Sequence, residues 1–248
     1  MFNPFSLKDK TILVTGASSG IGRAIAIECS KMGASVIITA RSEERLQETL
    51  REMEGEQNKL IVADLSIDED IENLANEMPA LDGVVHCAGF TIPKPFNFLS
   101  KDDVDAVMKV NFSTPVFLTQ KLLKSKKINK KASIVFISSI SGVYVTSVAG
   151  SLYSASKGAV NGIVKGMAIE LAAKQIRVNS VNPGMIETNI FSAGIISEEQ
   201  LNEDKKKYPL KRYGKPEEVA YAVIYLLSEA SSWTTGSNIL IDGGYTLL

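Results

Sequence analysis

Short runs of apolar, β-branched residues alternate with longer stretches of helical periodicity along the whole chain. Thr11–Thr15 (TILVT) reads as a strand, and residues 20–32 follow with apolar positions at helical spacing. Ser35–Ala40 (SVIITA) reads as a second strand, and the charged stretch 42–54 as a second, more solvated helix. Residues 60–63, 83–87, 133–138, 178–181 and Asn238–Ile241 bring the set to about seven strands. Several are apolar throughout, which suits strands covered by helices on both faces. That alternation predicts right-handed βαβ crossovers and a doubly wound α/β fold with a parallel sheet. Further long helical patterns cover residues 102–127 and 152–174. No linker, repeat or low-complexity stretch divides the chain, so residues 1–248 are read as one domain.

Two segments break the rhythm. Residues 90–99 (FTIPKPFNFL) and 185–213 are long connections after predicted strands. Loops of that length in a small domain usually serve function, and ligands of doubly wound sheets bind beyond the carboxyl ends of strands. Residues 185–213 are therefore expected to form a substrate lid.

Composition narrows the classes. Hydrophobic residues make up 45% and charged residues 22%, ordinary for a globular protein with a sizeable core. The net charge of -1 gives no field that favours nucleic acid or an anionic membrane. The lysines lack the interleaved aromatics of a single-strand binder. No apolar run approaches the roughly 20 residues that span a bilayer, and the first ten residues do not read as a signal peptide. Cys29 and Cys87 lie in apolar segments and read as small buried hydrophobes in a reducing, cytoplasmic setting. A single histidine, His86, excludes a histidine-based triad or a multi-histidine metal site, and no metal is expected.

The run Thr15-Gly16-Ala17-Ser18-Ser19-Gly20-Ile21-Gly22 joins the first predicted strand to the first helix. Its glycines permit a tight turn, and the helix N-terminus offers free N–H groups and a positive dipole to a pyrophosphate. A plain strand-to-helix turn is the alternative reading. At the end of the second strand, Thr39-Ala40-Arg41 lacks the acid that would accept from the ribose hydroxyls of NAD. Arg41 supplies a cation for a 2′-phosphate instead, which favours NADP(H) over NAD(H); otherwise it is a solvated loop residue.

The sharpest chemical constellation is Ser139, Tyr153 and Lys157. Tyr153 and Lys157 stand four apart in Tyr-Ser-Ala-Ser-Lys, so on a helix they share a face. An ammonium beside the phenol, helped by an oxidised nicotinamide, is expected to lower a pKa of about 10 and make Tyr153 a proton shuttle. Ser139, leaving a strand, can hold the substrate oxygen. Tyr144 has Val148 four residues on and so lacks a lysine partner.

With these motifs the chain resembles the short-chain dehydrogenase/reductase family over nearly its whole length, most closely the 3-oxoacyl-carrier-protein reductase-like branch. TGASSGIG at 15–22, Asp64-Leu65, Ala88-Gly89, Asn111, Ser139, Tyr153 with Lys157, Pro183-Gly184 with Thr188, and Asp242-Gly243-Gly244 occur in the family's order. The resemblance implies a single-domain Rossmann fold and an oxidoreductase in which Asn111, Ser139, Tyr153 and Lys157 are catalytic. Tyr153 would be the general acid in reduction and the base in oxidation. Lys157 would hold the nicotinamide ribose, Ser139 would polarise the carbonyl, and Asn111 would bend its helix and anchor a water in a proton relay. Asp64 and Leu65 would take the adenine, Ala88 and Gly89 the ribose. Ile186 and Thr188 would meet the carboxamide and pyrophosphate beside Pro183 and Gly184. Two departures stand out. His86-Cys87 replaces the family's Asn-Asn, with His86 read as a hydrogen-bonded scaffold residue. One extra residue separates Ser139 from Tyr153, to be absorbed by a bulge in the intervening loop.

The substrate is less determined. Phe96, Phe98, Met185, Ile190, Phe191, Ile195 and Ile196 predict an apolar pocket, with Phe96, Met185 and Phe191 joining Ser139 and Tyr153 at the substrate; several could equally cover core or a subunit contact. Lys121, Lys124, Lys126, Lys127, Lys130 and Lys131 form a basic run. By resemblance, Lys130 and Lys174 fall where carrier-protein reductases meet their acidic carrier; a solvated helix end is the alternative. An NADPH-dependent reductase of a ketone or 3-oxoacyl carbonyl, its small substrate free or carrier-bound, is the leading reading. A sugar, polyol or other secondary-alcohol dehydrogenase and a non-catalytic nucleotide-binding regulator are the alternatives. The family habit of pairing long helices predicts a homo-oligomer, dimer or tetramer, with the tail 245–248 suited to a further contact.

Overall fold

A computed structural model describes residues 3–188 and 198–248. Among them, β1 (Thr11–Thr15), β2 (Ser35–Ala40), β3 (Lys59–Val62), β4 (Leu81–His86), β5 (Ile128–Ile137), β6 (Arg177–Pro183) and β7 (Asn238–Ile241) form one parallel sheet. Their order is β3-β2-β1-β4-β5-β6-β7. The strand order reverses between β1 and β4, and the crevice at that point lies beyond the carboxyl ends of those strands.

Successive side chains of a strand point to opposite faces, and each face has its own core. Ile12, Val14, Val36, Ile38, Val85, Val135 and Val181 pack under α1 (Gly20–Lys31), α2 (Glu43–Glu52) and α8 (Pro216–Leu227). Leu13, Ile37, Val84, Ile134, Phe136 and Val178 pack under α3 (Asp68–Glu77), α5 (Thr114–Lys124) and α6 (Ser151–Leu171). The fold is the single Rossmann-like α/β domain that the strand–helix rhythm predicts. No helix among the described residues is long and apolar enough to cross a membrane.

The helix predicted over 102–127 is interrupted. α4 (Lys101–Met108) leads into a π-turn, Lys109–Ser113, before α5 begins. Pro115 has no N–H to close the α-helical bond to the carbonyl of Asn111. The Thr114 N–H reaches back five residues, to the carbonyl of Lys109. β5 also starts five residues earlier than its apolar core suggests, with a register shift opposite Leu81 and Gly83 and a left-handed Lys131 (φ 65°). Lys130 and Lys131 thus lie inside a strand, while Lys121 and Lys124 lie on α5.

His86, the last residue of β4, is 4% exposed. Its ring lies 4.8 Å from that of Phe136. Nε2 is 2.7 Å from the Thr119 hydroxyl, which itself donates to the Pro115 carbonyl at 2.8 Å, so Nε2 is the donor. Burial holds the imidazole neutral, with its pKa lowered to about 3. The unfolded chain takes up a proton near pH 6.5 that the folded one refuses, so this group's contribution to stability is intact above pH 6.5 and is lost toward pH 3. Urea unfolding at pH 7 and pH 5 should show wild type losing about 2 kcal/mol more than His86→Asn across that interval; equal losses would refute the assignment.

Candidate active site

The first glycine turn is shaped by backbone against backbone. Gly16 has φ +69°, and a Cβ there would sit 2.7 Å from the Cα of Ala88. A Cβ on Gly22 would lie 2.2 Å from the carbonyl oxygen of Gly16. The loops after β1 and β4 therefore meet with no room for a side chain. Thr15 stitches them, its hydroxyl accepting from the N–H groups of Cys87 (3.1 Å) and Ala88 (3.2 Å). Ser19 stands before α1 with no side-chain cap bond, and the first turn of α1 holds no acid, so its N–H groups have no side-chain acceptor from Ser19. Ser18, Ser19, Gly20 and Ile21 are half-buried along this lip.

The segment after β6 closes the other side. Gly184 is fastened by its N–H to the Ile241 carbonyl (2.8 Å), and Ile186 is buried and bridged to Gly214. A Cβ on Gly20 would lie 3.1 Å from the Cγ2 of Thr188. The Thr188 hydroxyl oxygen is buried with no hydrogen-bond partner among the described residues. An orphaned hydroxyl facing an uncapped helix N-terminus and a glycine cradle fits a bound pyrophosphate. At the far end of the crevice Arg41 is exposed beside Asp64. Burial pushes the Asp64 carboxyl up, but the Ser66 N–H (2.9 Å), the Ser66 hydroxyl (2.7 Å) and the Arg41 guanidinium bring it below the usual aspartate value. Leu65 is buried, and its carbonyl accepts from the Thr114 hydroxyl at 2.8 Å.

Ser139, Tyr153 and Lys157 come together at the ends of β5 and α6. Lys157, 5% exposed, places Nζ 5.6 Å from the centre of the Tyr153 ring and donates to the Ile137 carbonyl at 2.8 Å. Ser139 Oγ accepts from the Ser141 N–H at 3.1 Å, leaving its hydrogen for the bond it shares with the Tyr153 hydroxyl. Residues 140–145 coil into a tight turn, with Gly142 N–H on the Val145 carbonyl and Tyr144 N–H on that of Ile140. Tyr153 lies in the first turn of α6. Tyr144 stays half-exposed on the turn at 140–145.

The expected acidity of the phenol includes an oxidised nicotinamide; in the protein's own field, burial raises the Tyr153 pKa above its ordinary value, and the Ser139 hydrogen bond offsets this only in part. The ammonium lies over the ring and is engaged by Ile137 rather than by the phenol oxygen. The same burial lowers Lys157 itself to about 8. Cys87, half-buried nearby, is pushed up to about 12 and stays a thiol.

Asn111 lies in the π-turn, almost wholly buried. Its side chain accepts from the Phe90 N–H (3.0 Å) and donates to the Phe90 carbonyl (2.9 Å) and the Ser156 hydroxyl (3.0 Å). Phe96 and Phe98, 80% and 67% exposed, sit on the loop that Asn111 moors, and Met185 is half-exposed across from Leu210. Phe191, like Ile190, Ile195 and Ile196, lies outside the described residues. Of the predicted lid, α7 (Glu198–Lys205) and the following turn are described; Tyr208 packs on Tyr245 (4.8 Å) and edge-on to Tyr213 (5.5 Å). Lys130 near the start of β5 and Lys174 beyond α6 are at the opposite ends of those elements from Ser139 and Tyr153, about 30 Å away along the 21-residue helix.

The family profile described as enoyl-(acyl carrier protein) reductase matches residues 16–246. A 3-oxoacyl-[acyl-carrier-protein] reductase of Aquifex aeolicus is 37% identical over 247 residues, covering 96% of this chain and 98% of the relative. A glucose 1-dehydrogenase of Gluconobacter oxydans is 35% identical over 245 residues, covering 96% and 92%. A short-chain type dehydrogenase/reductase of Mycobacterium marinum superposes with a TM-score of 0.88 at 33% identity, covering 99% and 98% of the two chains. The chain belongs to the short-chain dehydrogenase/reductase family. Another solved member, described as an NAD(P)-dependent gluconate 5-dehydrogenase from Beutenbergia cavernae, has NADP bound at low occupancy; it is 30% identical with a TM-score of 0.89 and 99% and 100% coverage.

Within this short-chain dehydrogenase/reductase, sequence reasoning passed over two parts of the site. Thr15 was legible as the strand end that opens the glycine run, but not as the hydroxyl that joins the two loops of the crevice. Lys94 and Asp103 pair across the 90–99 loop, a contact that no motif signals. The Tyr153 phenol is open to direct test. A difference titration of wild type against Tyr153→Phe, followed by phenolate absorbance, should place its midpoint above that of free tyrosine, and Ser139→Ala should move it higher. A midpoint below the free value would overturn the burial argument.

Proposed function

We propose that this oxidoreductase is an NADP(H)-dependent reductase of apolar ketone or 3-oxoacyl carbonyls, with Tyr153 as proton donor. The observation that carries the reading is the geometry at the half-buried Tyr153, with Ser139 bonded to its hydroxyl and the Lys157 ammonium 5.6 Å from the centre of its ring. The glycine turn (Gly16, Gly20, Gly22), Ala88, Gly89, Thr188, Asp64 and Arg41 would hold the dinucleotide, which when bound supplies a hydride to the carbonyl carbon. Ser139 orients the carbonyl oxygen. Tyr153 delivers its proton to that oxygen as negative charge develops there. Lys157 would hold the nicotinamide ribose and return a proton toward Tyr153. Because the Asn111 side chain is committed to Phe90 and Ser156, any water in a relay would meet its main chain.

Charge at the cleft favours an apolar substrate over a sugar or polyol. Residues 90–99 carry one charge, Lys94, which is paired with Asp103, and residues 140–152 carry none. Phe96, Phe98, Tyr144 and Val148 are exposed there. A carrier protein docking on Lys130 and Lys174 could not feed the same chain's Tyr153, so that version of the reading requires a homo-oligomer whose paired helices run antiparallel. The glucose 1-dehydrogenase relative keeps the oxidative, sugar or polyol reading as the second.

A panel of apolar ketones, acetoacetyl thioesters, sugars and polyols with both nicotinamides separates these readings; turnover confined to sugars with NAD would overturn ours. Tyr153→Phe should lower kcat/KM by roughly 10²–10⁴-fold and leave NADPH affinity within a factor of about three; near-normal turnover would remove Tyr153 from the role. Arg41→Ala should weaken NADPH binding about tenfold and NADH binding little, read by fluorescence titration. Equal losses would remove the 2′-phosphate contact.

A further inference from the structure

The loop from Phe90 to Leu99, read as the wall of the substrate cleft, bears the exposed Phe96 and Phe98 and has little to hold it. Its sequence around the centre is Pro93-Lys94-Pro95. Neither proline has an N–H to offer, and Pro95 keeps Lys94 extended. Among the described residues, Lys94 makes the one backbone-to-backbone hydrogen bond from residues 90–99 to another segment, its N–H donating to the Ala149 carbonyl at 3.2 Å. Ala149 is left-handed (φ 62°) and is followed by Gly150, the N-cap of α6, with Tyr153 three residues on. The Lys94 side chain runs to α4, where its ammonium meets Asp103 Oδ2 at 2.5 Å. That carboxylate also accepts from the Ser100 N–H and hydroxyl, both at 2.8 Å, and so caps α4. α4 continues into the π-turn whose Asn111 grips Phe90 at the other end of the loop.

We propose that Lys94 is a positioning residue that sets the width of the substrate cleft, its amide mooring the phenylalanine-bearing loop to the start of α6 and its ammonium mooring it to α4. The inference rests on the reading of Tyr153 and the exposed phenylalanines as the substrate side of the site. The Lys94 and Asp103 side chains are 35% and 14% exposed, so water competes less for the pair at its carboxylate than at its ammonium. Neither Lys94 nor Asp103 is among the residues read as holding the dinucleotide, so a loosened mooring is expected to act on the ketone and not on the nucleotide.

The test is Lys94→Met, with Lys94→Arg as the conservative rescue and Asp103→Asn to complete a double-mutant cycle. Lys94→Met should raise KM for the best ketone of the panel about tenfold, with kcat changed less than about threefold and NADPH affinity within about twofold. Lys94→Arg should recover most of that loss, and the double variant should be no worse than the worse single one. Hydrogen exchange gives a readout independent of turnover: amides of residues 91–99 and 143–149 should exchange faster in Lys94→Met while those of the central strands do not. Unchanged exchange in these two loops, or a KM within twofold of wild type, overturns the inference. Full activity of Tyr153→Phe would overturn the proton-donor reading instead, and the exchange comparison would still judge Lys94.

Discussion

The hydrogen bond from the Lys157 ammonium to the Ile137 carbonyl, 2.8 Å long and wholly buried, fixes the relation between α6 and β5 on which the site depends. It is one half of a reciprocal clasp. The Ser138 hydroxyl donates back to the Lys157 carbonyl at 3.1 Å, and the Asn161 amide, one helical turn further on, donates to both Ser138 Oγ (2.8 Å) and that same carbonyl (3.0 Å). The Ser180 hydroxyl on β6 completes the set, 2.7 Å from Asn161 Oδ1. A buried cation is costly unless its hydrogens find acceptors, so the strand and helix are held in the single register that satisfies it. Tyr153, one turn before Lys157, inherits its position from that register, and Ser139 inherits its own from the end of β5.

The crevice opposite this clasp is built by exclusion rather than by attachment. The order reversal between β1 and β4 brings two loops to one place, and Gly16 and Gly22 let their backbones close to distances that any side chain would forbid. Thr15 then turns proximity into a fixed geometry through two amide donors. A rigid floor of this kind leaves the N–H groups of α1 without side-chain acceptors, and the orphaned hydroxyl of Thr188 near Gly20 would meet the same occupant from the other side.

Much of this was legible in the chain because it follows from local rules. Buried parallel strands must be apolar on both faces, so six of the seven show within about two residues of their ends, and Ser139, Tyr153 and Lys157 stand at spacings that only one helix and one strand end can bring together. What escaped has physical reasons. α3 is short, with its apolar positions Ile71, Leu74 and Ala75 outnumbered by acids, and β5 begins in a lysine-bearing stretch that its apolar core does not announce. The π-turn was visible only as Pro115 inside a helical pattern, since periodicity registers faces and not hydrogen-bond ladders. The Lys94–Asp103 contact joins a loop to a helix nine residues away in a geometry no local propensity encodes.

The same limit applies to the phenol. Spacing four residues apart reports that an ammonium is near, but not how much water has been removed or which acceptor the ammonium has chosen. Here burial acts on both partners in the sense that favours neutrality, raising Tyr153 and lowering Lys157. On the proposed reading, the proton stays on the phenol until charge develops on an oxygen beside it, which would suit reduction. For the reverse reaction the deprotonating influence has to come from a positive charge outside the protein's own side chains, as an oxidised nicotinamide would provide. On that reading, the balance between the two directions would depend on how far the surrounding strands and loops keep water from both side chains as well as on the distance from lysine to tyrosine.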